Sequence, residues 1–85
     1  MISMICQYVH GMFSSERVVI FQTYEGGKLK ERSCFVDASS VFGEGESGHV
    51  RVNSARRDKD RVLIGIHDDG NYRVFAVPVD NVNFD

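Results

Sequence analysis

The chain has 85 residues, of which 42% are hydrophobic and 11% aromatic, and its formal net charge is −2. This length fits one domain over residues 1–85. The apolar content suffices for one core, which excludes an intrinsically disordered chain. The charge is typical neither of a protein that coats DNA nor of an acidic nucleic-acid mimic. Two cysteines are too few for a disulfide framework, so both are predicted to be reduced core thiols.

The N-terminal segment, residues 1–13, has no basic start, no long apolar run and no small-residue cleavage site. It is therefore predicted to be neither a signal peptide nor a membrane span, and the protein is expected to be cytoplasmic. Residues 2–13 fit both a helical face and a strand alternation, and their β-branched content favours a strand ending near His10. The three methionines indicate adaptable core packing, or else an oligomer seam or a partner groove.

Residues 17–24 predict a strand, and its run of four consecutive apolar residues is typical of a strand covered on both faces. Gly26 and Gly27 predict a turn, after which residues 28–36 return as a second strand. Whether the loop has two or three residues decides which face of the returning strand meets the core. The sequence leaves both faces open.

Residues 37–42 are typical of a helical turn that Asp37 caps, with Val41 and Phe42 docking inward. The glycine-rich acidic stretch 43–48 predicts a flexible loop.

Residues 49–53 predict a short strand with Val50 and Val52 inward. The charged residues 54–60 are interpreted as a connector to the hairpin that follows, over residues 61–80.

This hairpin is the clearest structural signal in the chain, because two β-branched and aromatic runs flank Asp-Asp-Gly-Asn. The turn is centred on either Asp69-Gly70 or Gly70-Asn71. These turns differ by a slip of two residues, which preserves the faces of both strands. The second turn is favoured because it places Ile66 opposite Phe75 instead of Arg73. In either register one apolar face is formed by Val62, Ile64, Ile66, Phe75, Val77 and Val79.

Together these elements predict an all-β, mainly antiparallel fold, a small bent-sheet barrel of five to six strands with one short helical turn. Residues 77–82, Val-Pro-Val-Asp-Asn-Val, resemble the C-terminal part of SH3-like barrels, in which a strand, a 3₁₀ turn and a short closing strand complete the fold. Residues 66–71, Ile-His-Asp-Asp-Gly-Asn, resemble the acidic turn of Tudor-type members. A Tudor site would need an aromatic cage for methylated cations, which Tyr72 and Phe75 alone do not establish.

Residues able to act in catalysis or to ligate a metal are present, but their spacing matches no known site. The chain contains no CxxC, HxxxH or HExxH motif, no Gly-x-Ser-x-Gly elbow and no phosphate-binding loop. Asp68 and Asp69 are typical turn formers. The sequence therefore predicts a protein that is not an enzyme and that holds neither metal nor cofactor. The residues considered were His10, His49, His67, Cys6, Asp68 and Asp69.

Basic residues form two groups along the chain. The first recurs at strand period over residues 28–32 and so shares one face, and the second clusters over residues 51–61. If the hairpins stack, the two groups form one stripe that contacts an acidic protein or phosphates. The predicted partner-binding residues are Lys28, Lys30, Arg32, Arg51, Arg56, Arg57, Lys59 and Tyr72.

The leading hypothesis is a non-enzymatic interaction module that binds another macromolecule, with a protein as the favoured partner. Such a module would be an adaptor, or an inhibitor of the kind that phages and mobile elements encode, acting by occlusion. The alternative is a small β-barrel that binds RNA or single-stranded DNA. A homo-oligomeric contact through the N-terminal segment is a further expectation.

Overall fold

The computed structural model describes residues 1–44 and 46–85. In these residues the regular structure consists of nine strands and two 3₁₀ turns, Ala38–Ser40 and Val79–Asn81. The prediction of an all-β protein is confirmed. The strands are β1 Ser3–His10, β2 Glu16–Glu25, β3 Lys28–Asp37, β4 Val41–Glu44, β5 Ser47–Arg51, β6 Ser54–Asp58, β7 Arg61–Asp68, β8 Asn71–Pro78 and β9 Val82–Asn83.

The strands form two sheets in which every described pairing is antiparallel. The first sheet has the order β3-β2-β1-β5-β4, and β9 pairs with the start of β1. The second sheet has the order β6-β7-β8. Among the described residues neither sheet closes on itself. The predicted closed barrel is therefore not confirmed, and the SH3-like resemblance stays a prediction.

The core lies between the two sheets. Ile64 and Val77 of the second sheet are fully buried, and Phe21 of β2 meets Phe75 of β8 edge to face with ring centroids 5.3 Å apart. Burying one such aliphatic side chain contributes about 1.5–3 kcal/mol, so this layer is the main source of stability. Twelve of the described apolar residues are buried, and they are Met4, Cys6, Val19, Phe21, Cys34, Val36, Val50, Val52, Val62, Ile64, Ile66 and Val77.

The β2–β3 hairpin has a two-residue turn, Gly26-Gly27, in which both glycines have positive φ, 59° and 78°. This conformation is available to glycine without a steric penalty. The short turn settles the question left open by the sequence, because the even-numbered residues of β3 face the core, as Cys34 does. Lys28 and Lys30 lie on that same face but are exposed, as is the rest of the turn-proximal half of β3.

The β7–β8 hairpin turns at Asp69-Gly70, so the favoured register over Gly70-Asn71 was wrong. Asp69 and Gly70 have φ of 51° and 83°, as a type I′ turn requires at both central positions, and Asp-Gly is a preferred pair for it. Ile66 therefore pairs with Arg73, whose guanidinium reaches back over the Phe75 ring, 4.8 Å from its centroid. The predicted apolar face is preserved. Four of its six residues are buried, and Phe75 and Val79 pack against them.

The tip of this second hairpin is joined to the end of β3. The backbone N–H of Asp69 donates to the carbonyl oxygen of Phe35 over 2.9 Å, and the N–H of Phe35 donates to the Asp68 carboxylate over 2.9 Å. The other carboxylate oxygen of Asp68 accepts from Arg73 over 2.9 Å. Asp68 thus links two hairpins that are far apart in sequence.

Three predictions for the middle of the chain are corrected. Asp37 makes no side-chain cap bond to the 3₁₀ turn, and Phe42 is exposed and stacks on His49 instead of docking inward. The acidic stretch 43–48 is not a single loop, because its ends belong to β4 and β5, while Gly45 lies outside the described residues.

The charged stretch 54–60 is also corrected, because most of it forms the edge strand β6 and only residues 59–60 make a turn. By contrast, the predicted N-terminal strand is confirmed as β1, and Pro78 ends β8 at a sheet edge as expected. In the described part of the chain no helix has the length and apolar character needed to cross a membrane.

Candidate functional site

The outer surface of the second sheet is the candidate site. Successive residues of a strand point to opposite faces, and the buried Val62, Ile64 and Ile66 show which face of β7 meets the core. The strand pairings extend this assignment to β6 and β8. The outward residues, which we call the Tyr72 face, are Ser54, Arg56, Asp58, Leu63, Gly65, His67, Tyr72, Val74 and Ala76.

Tyr72 lies across the middle strand of this sheet. Its hydroxyl is 2.6 Å from the side-chain oxygen of Ser54 on β6, and either group can donate the hydrogen bond. His67 meets the tyrosine ring at a steep angle with centroids 5.3 Å apart. The ring passes over Gly65, where a Cβ atom would sit 1.8 Å from the tyrosine hydroxyl oxygen. Gly65 therefore provides the space in which Tyr72 is held.

A similar arrangement occurs in the first sheet. Tyr8 on β1 passes over Gly48 of β5, and its hydroxyl donates to the carbonyl oxygen of Gly43 on β4. Tyr8 is half-buried, whereas Tyr72 is 51% exposed. A tyrosine that crosses a glycine thus supports an edge strand in each sheet, and the ring of Tyr72 remains open to a ligand.

Apolar side chains share the face with Tyr72. Val74 is 58% exposed, and Leu63 is half-buried opposite Ala76. Arg56 pairs with Leu63 across β6 and β7, and no carboxylate of the described residues lies within ion-pair distance of its guanidinium. Tyrosine and arginine are enriched among the residues that contribute most to binding at protein interfaces. This face carries both, a fixed tyrosine and an unpaired arginine, next to apolar side chains.

The predicted basic residues of β3 do not belong to this face. Lys28 and Lys30 lie at the tip of the β2–β3 hairpin, and no described carboxylate is within ion-pair distance of either. Arg32 forms a bidentate ion pair with Glu25. The hydrogen bonds from Arg32 lower the pKa of the Glu25 carboxyl below its ordinary value. Arg32 is therefore already paired within the hairpin.

The β6–β7 turn lies at the same end of the molecule as the hairpin tip. The Arg61 guanidinium sits 4.6 Å from the centroid of the Tyr24 ring, and Tyr24 pairs with Leu29 next to the tip. Lys59 lies in the β6–β7 turn with a φ of 60°. Lys59 therefore lies at the same end of the molecule as Lys28 and Lys30.

Arg51 and Arg57 complete the predicted set. Arg51 donates to the carbonyl oxygen of Ser39 over 2.8 Å and lies over the Phe42 ring, so it supports the first 3₁₀ turn. Arg57 points to the inward side of β6 and donates to the carbonyl oxygen of Lys59. The eight predicted residues are thus distributed over the Tyr72 face, the hairpin-tip end and the 3₁₀ turn.

Sequence reasoning selected Tyr72 and Arg56 but missed the residues that shape their surroundings. Gly65 interrupts a run of aliphatic residues in a central strand, where glycine weakens the strand and often marks a close approach by another group. That signal was readable. The role of Ser54 was not, because it depends on β6 being a strand that lies two positions away from β8.

The two cysteines are buried and unpaired. Burial raises the pKa of the Cys6 thiol to about 11. Burial, with a smaller contribution from the negative charge of Asp68, raises the pKa of the Cys34 thiol to about 11 as well. Both groups are therefore protonated at neutral pH, a state in which thiols are poor nucleophiles. Among the described residues no three His, Cys, Asp or Glu side chains are grouped closely enough to hold a metal ion.

Comparison of the chain with models of protein families, with curated proteins and with solved structures found no match.

Proposed function

We propose that the protein is a non-enzymatic interaction module that docks on another protein through the Tyr72 face. The observation that carries this proposal is the position of Tyr72, held half-exposed across Gly65 by its hydrogen bond to Ser54. A side chain that is already fixed loses little conformational entropy when it binds, so more of its contact energy appears as affinity.

The residues of the Tyr72 face also indicate what kind of surface the partner would present. Val74 and Leu63 fit an apolar surface, and the Arg56 guanidinium fits a carboxylate or a carbonyl oxygen at its border. An adaptor and an inhibitor that occludes its target would both use such a face. The two buried thiols, which are unpaired, support the expected cytoplasmic location.

The finer fold assignment, an opened variant of the SH3-like barrel, belongs to the same proposal. Its support is local: β8 is followed by the 3₁₀ turn Val79–Asn81 and the short strand β9, the order found at the C-terminal end of such barrels.

We expect the double variant Val74→Asp plus Arg56→Glu to lose at least about tenfold in partner binding, because it places charge in the apolar centre and reverses the bordering cation. The measurement is affinity capture from the native host by the wild-type protein, followed by titration of the captured partner against both proteins. Circular dichroism shows whether the variant keeps its fold.

The matched control is Phe84→Asp plus Lys28→Glu, which makes the same charge change at exposed positions away from the Tyr72 face. It should bind the partner like the wild type. If the control loses the partner and the Val74 variant keeps it, the binding site includes Lys28 or Phe84 and the assignment to the Tyr72 face is wrong.

Nucleic acid is the second candidate partner, because the exposed Tyr72 ring beside Arg56 is able to stack on an unpaired base. This function requires affinity for labelled single-stranded DNA or RNA that falls steeply as the salt concentration rises. We expect no binding at low salt in a fluorescence-anisotropy titration. Salt-sensitive binding that Tyr72→Ala removes would replace the protein-docking proposal with this one.

A further inference from the structure

Strand β3 lies at the edge of the first sheet, and the outer side of its first half carries backbone groups without a partner strand. Because the β2–β3 turn has two residues, Glu25 and Lys28 form a hydrogen-bonded pair, from which bonded and non-bonded pairs alternate. The even-numbered residues of β3 therefore bond to β2, and the N–H and C=O groups of the odd-numbered residues point away from it. No described backbone group bonds to those of Leu29, Glu31 or Ser33.

The other end of β3 shows the same alternation and marks where the free backbone ends. The N–H of Phe35 donates to the Asp68 carboxylate, and its C=O accepts from the N–H of Asp69, so the tip of the β7–β8 hairpin covers both groups. Residues 28–33 are all exposed. We call residues 29–33 the open edge; at about 3.4 Å per residue it is about 17 Å long, the length of an ordinary strand.

The two sides of the open edge differ in their side chains. Lys28, Lys30 and Arg32 lie on the inward side, where Arg32 is already paired within its own hairpin. Among the described residues neither lysine has an ion-pair partner. The outward side carries Leu29, which is 51% exposed, and Glu31. A strand laid along this edge therefore meets two free ammonium groups on one side, and an apolar residue followed by a carboxylate on the other.

A second copy of β3 does not match this edge. In each antiparallel register that joins at least two of the three open residues, a basic side chain of one copy lies opposite a basic side chain of the other. These side chains are Lys30 and Arg32. Like charges directly opposite each other destabilise a strand pair, and lysines on an edge commonly prevent self-association. The same lysines favour a strand that carries acidic residues.

We propose that the open edge binds an extended acidic peptide segment of another protein as an added antiparallel strand, a contact separate from docking through the Tyr72 face. Hydrogen bonds to the free backbone groups of Leu29, Glu31 and Ser33 hold the segment. Carboxylates opposite Lys28 and Lys30 select it, because opposite charges across a strand pair are attractive.

The alternation of the strand gives the sequence pattern of the segment. Read from its N-terminus, the segment has a small polar residue opposite Ser33, a neutral residue, and a basic residue opposite Glu31. An acidic residue, an apolar residue opposite Leu29 and a second acidic residue follow. The blocked peptide Thr-Thr-Lys-Glu-Val-Glu has this pattern.

The first test is a titration of this peptide, up to millimolar concentration, into the isotope-labelled full chain, followed by NMR. We expect saturable binding in which the amide protons of Leu29, Glu31 and Ser33 shift downfield, because they gain hydrogen bonds. The amide protons of Lys30 and Arg32 should shift least, since they already bond to β2. N-methylation of the peptide's lysine or valine should weaken binding about tenfold or more, because those N–H groups face β3, whereas N-methylation of the glutamate between them should be tolerated.

The second test reverses the charges. Lys28→Glu plus Lys30→Glu should raise the dissociation constant of the peptide about tenfold or more, and this variant should instead bind a peptide in which both glutamates are replaced by lysine. The control is Arg56→Glu plus Lys59→Glu, an equal charge change away from the open edge, which should leave the dissociation constant unchanged. Circular dichroism shows that each variant is folded.

Three results would each overturn the proposal. The first is the absence of saturable binding at millimolar peptide. The second is binding that tolerates N-methylation at every position, which would mean that charge alone attracts the peptide and that no strand is added. The third is an affinity that the reversal of both lysines leaves unchanged.

Discussion

Replacing Gly65 with alanine is expected to destabilise the protein by about 2 kcal/mol and to displace Tyr72 from its position across β7. The added Cβ would sit 1.8 Å from the tyrosine hydroxyl oxygen and 2.5 Å from the Ser54 side-chain oxygen. Overpacking of this kind destabilises by about 1–3 kcal/mol, and the lost hydroxyl bond adds about 1 kcal/mol. Removing a glycine from a strand offsets about 0.5–1 kcal/mol of this loss.

The effect is specific to the tyrosine, and a double-mutant cycle measures this. In a Tyr72→Ala background the same Gly65→Ala change should cost much less, because the two tyrosine atoms nearest to the new Cβ are gone and the Ser54 hydroxyl, no longer bonded to Tyr72, is able to rotate away. Urea unfolding of the wild type, both single variants and the double variant gives the four free energies. A cost for Gly65→Ala that is equal in both backgrounds would show that Tyr72 does not lie over Gly65.

The cycle also bears on function, because the proposed docking depends on where Tyr72 is held. Gly65→Ala should weaken partner binding even at temperatures where the variant is fully folded, since the ring must first return to its position. Ser54→Ala removes the hydrogen bond without the steric clash, so we expect a smaller loss in binding. The ratio of these two losses in partner affinity separates the effect of displacing the Tyr72 ring from the effect of removing its hydrogen bond.

The elements that were predicted correctly are those whose local residue pattern matches the position they take in the folded protein. The run around Ile64 has the β-branched alternation of a core strand, and it is one. The register of the β7–β8 turn was predicted wrongly, because the pairing of Ile66 with Phe75 was given more weight than the positive φ angles that the turn requires. The positive φ at Asp69 and Gly70 decides the register, and Arg73 is accommodated by its ion pair with Asp68.

Edge strand β6 was missed because its pattern is that of a solvated segment. A strand at the edge of a small sheet buries little, and charged residues on it prevent pairing with another chain. Nothing in Ser-Ala-Arg-Arg-Asp distinguishes such a strand from a loop. Its presence follows from Ala55, which pairs with Ile64 and packs against the core.

The candidate site was predictable only in part for the same reason. Tyr72 and Arg56 were selected as individual residues, yet their proximity depends on the pairing of three strands. Strand period correctly grouped Lys28 with Lys30, because that grouping is local. Which surfaces those lysines share with distant residues is decided by sheet order, which the sequence does not encode in any short motif.

Raising the pH from 9 to 11 is expected to destabilise the protein by about 2 kcal/mol for each buried thiol. Burial raises the pKa of Cys6 and of Cys34 from the ordinary 9.0 to about 11 in the folded protein. Between these values the unfolded chain releases thiol protons that the folded protein retains, so the unfolded state binds fewer protons and stability falls as pH rises. Below pH 9 both states are protonated, and the thiols give no pH dependence.

Lysine and tyrosine side chains also titrate in this window, so the contribution of the thiols is isolated by difference. The variant Cys6→Ala plus Cys34→Ala should lose about 4 kcal/mol less between pH 9 and pH 11 than the wild type, and each single variant should lose about 2 kcal/mol less. Urea unfolding at several pH values measures these slopes independently of any cavity that alanine leaves, because such a cavity shifts stability equally at every pH. Equal slopes for the wild type and the double variant would mean that the two thiols are reached by solvent, which is incompatible with a core closed between the two sheets.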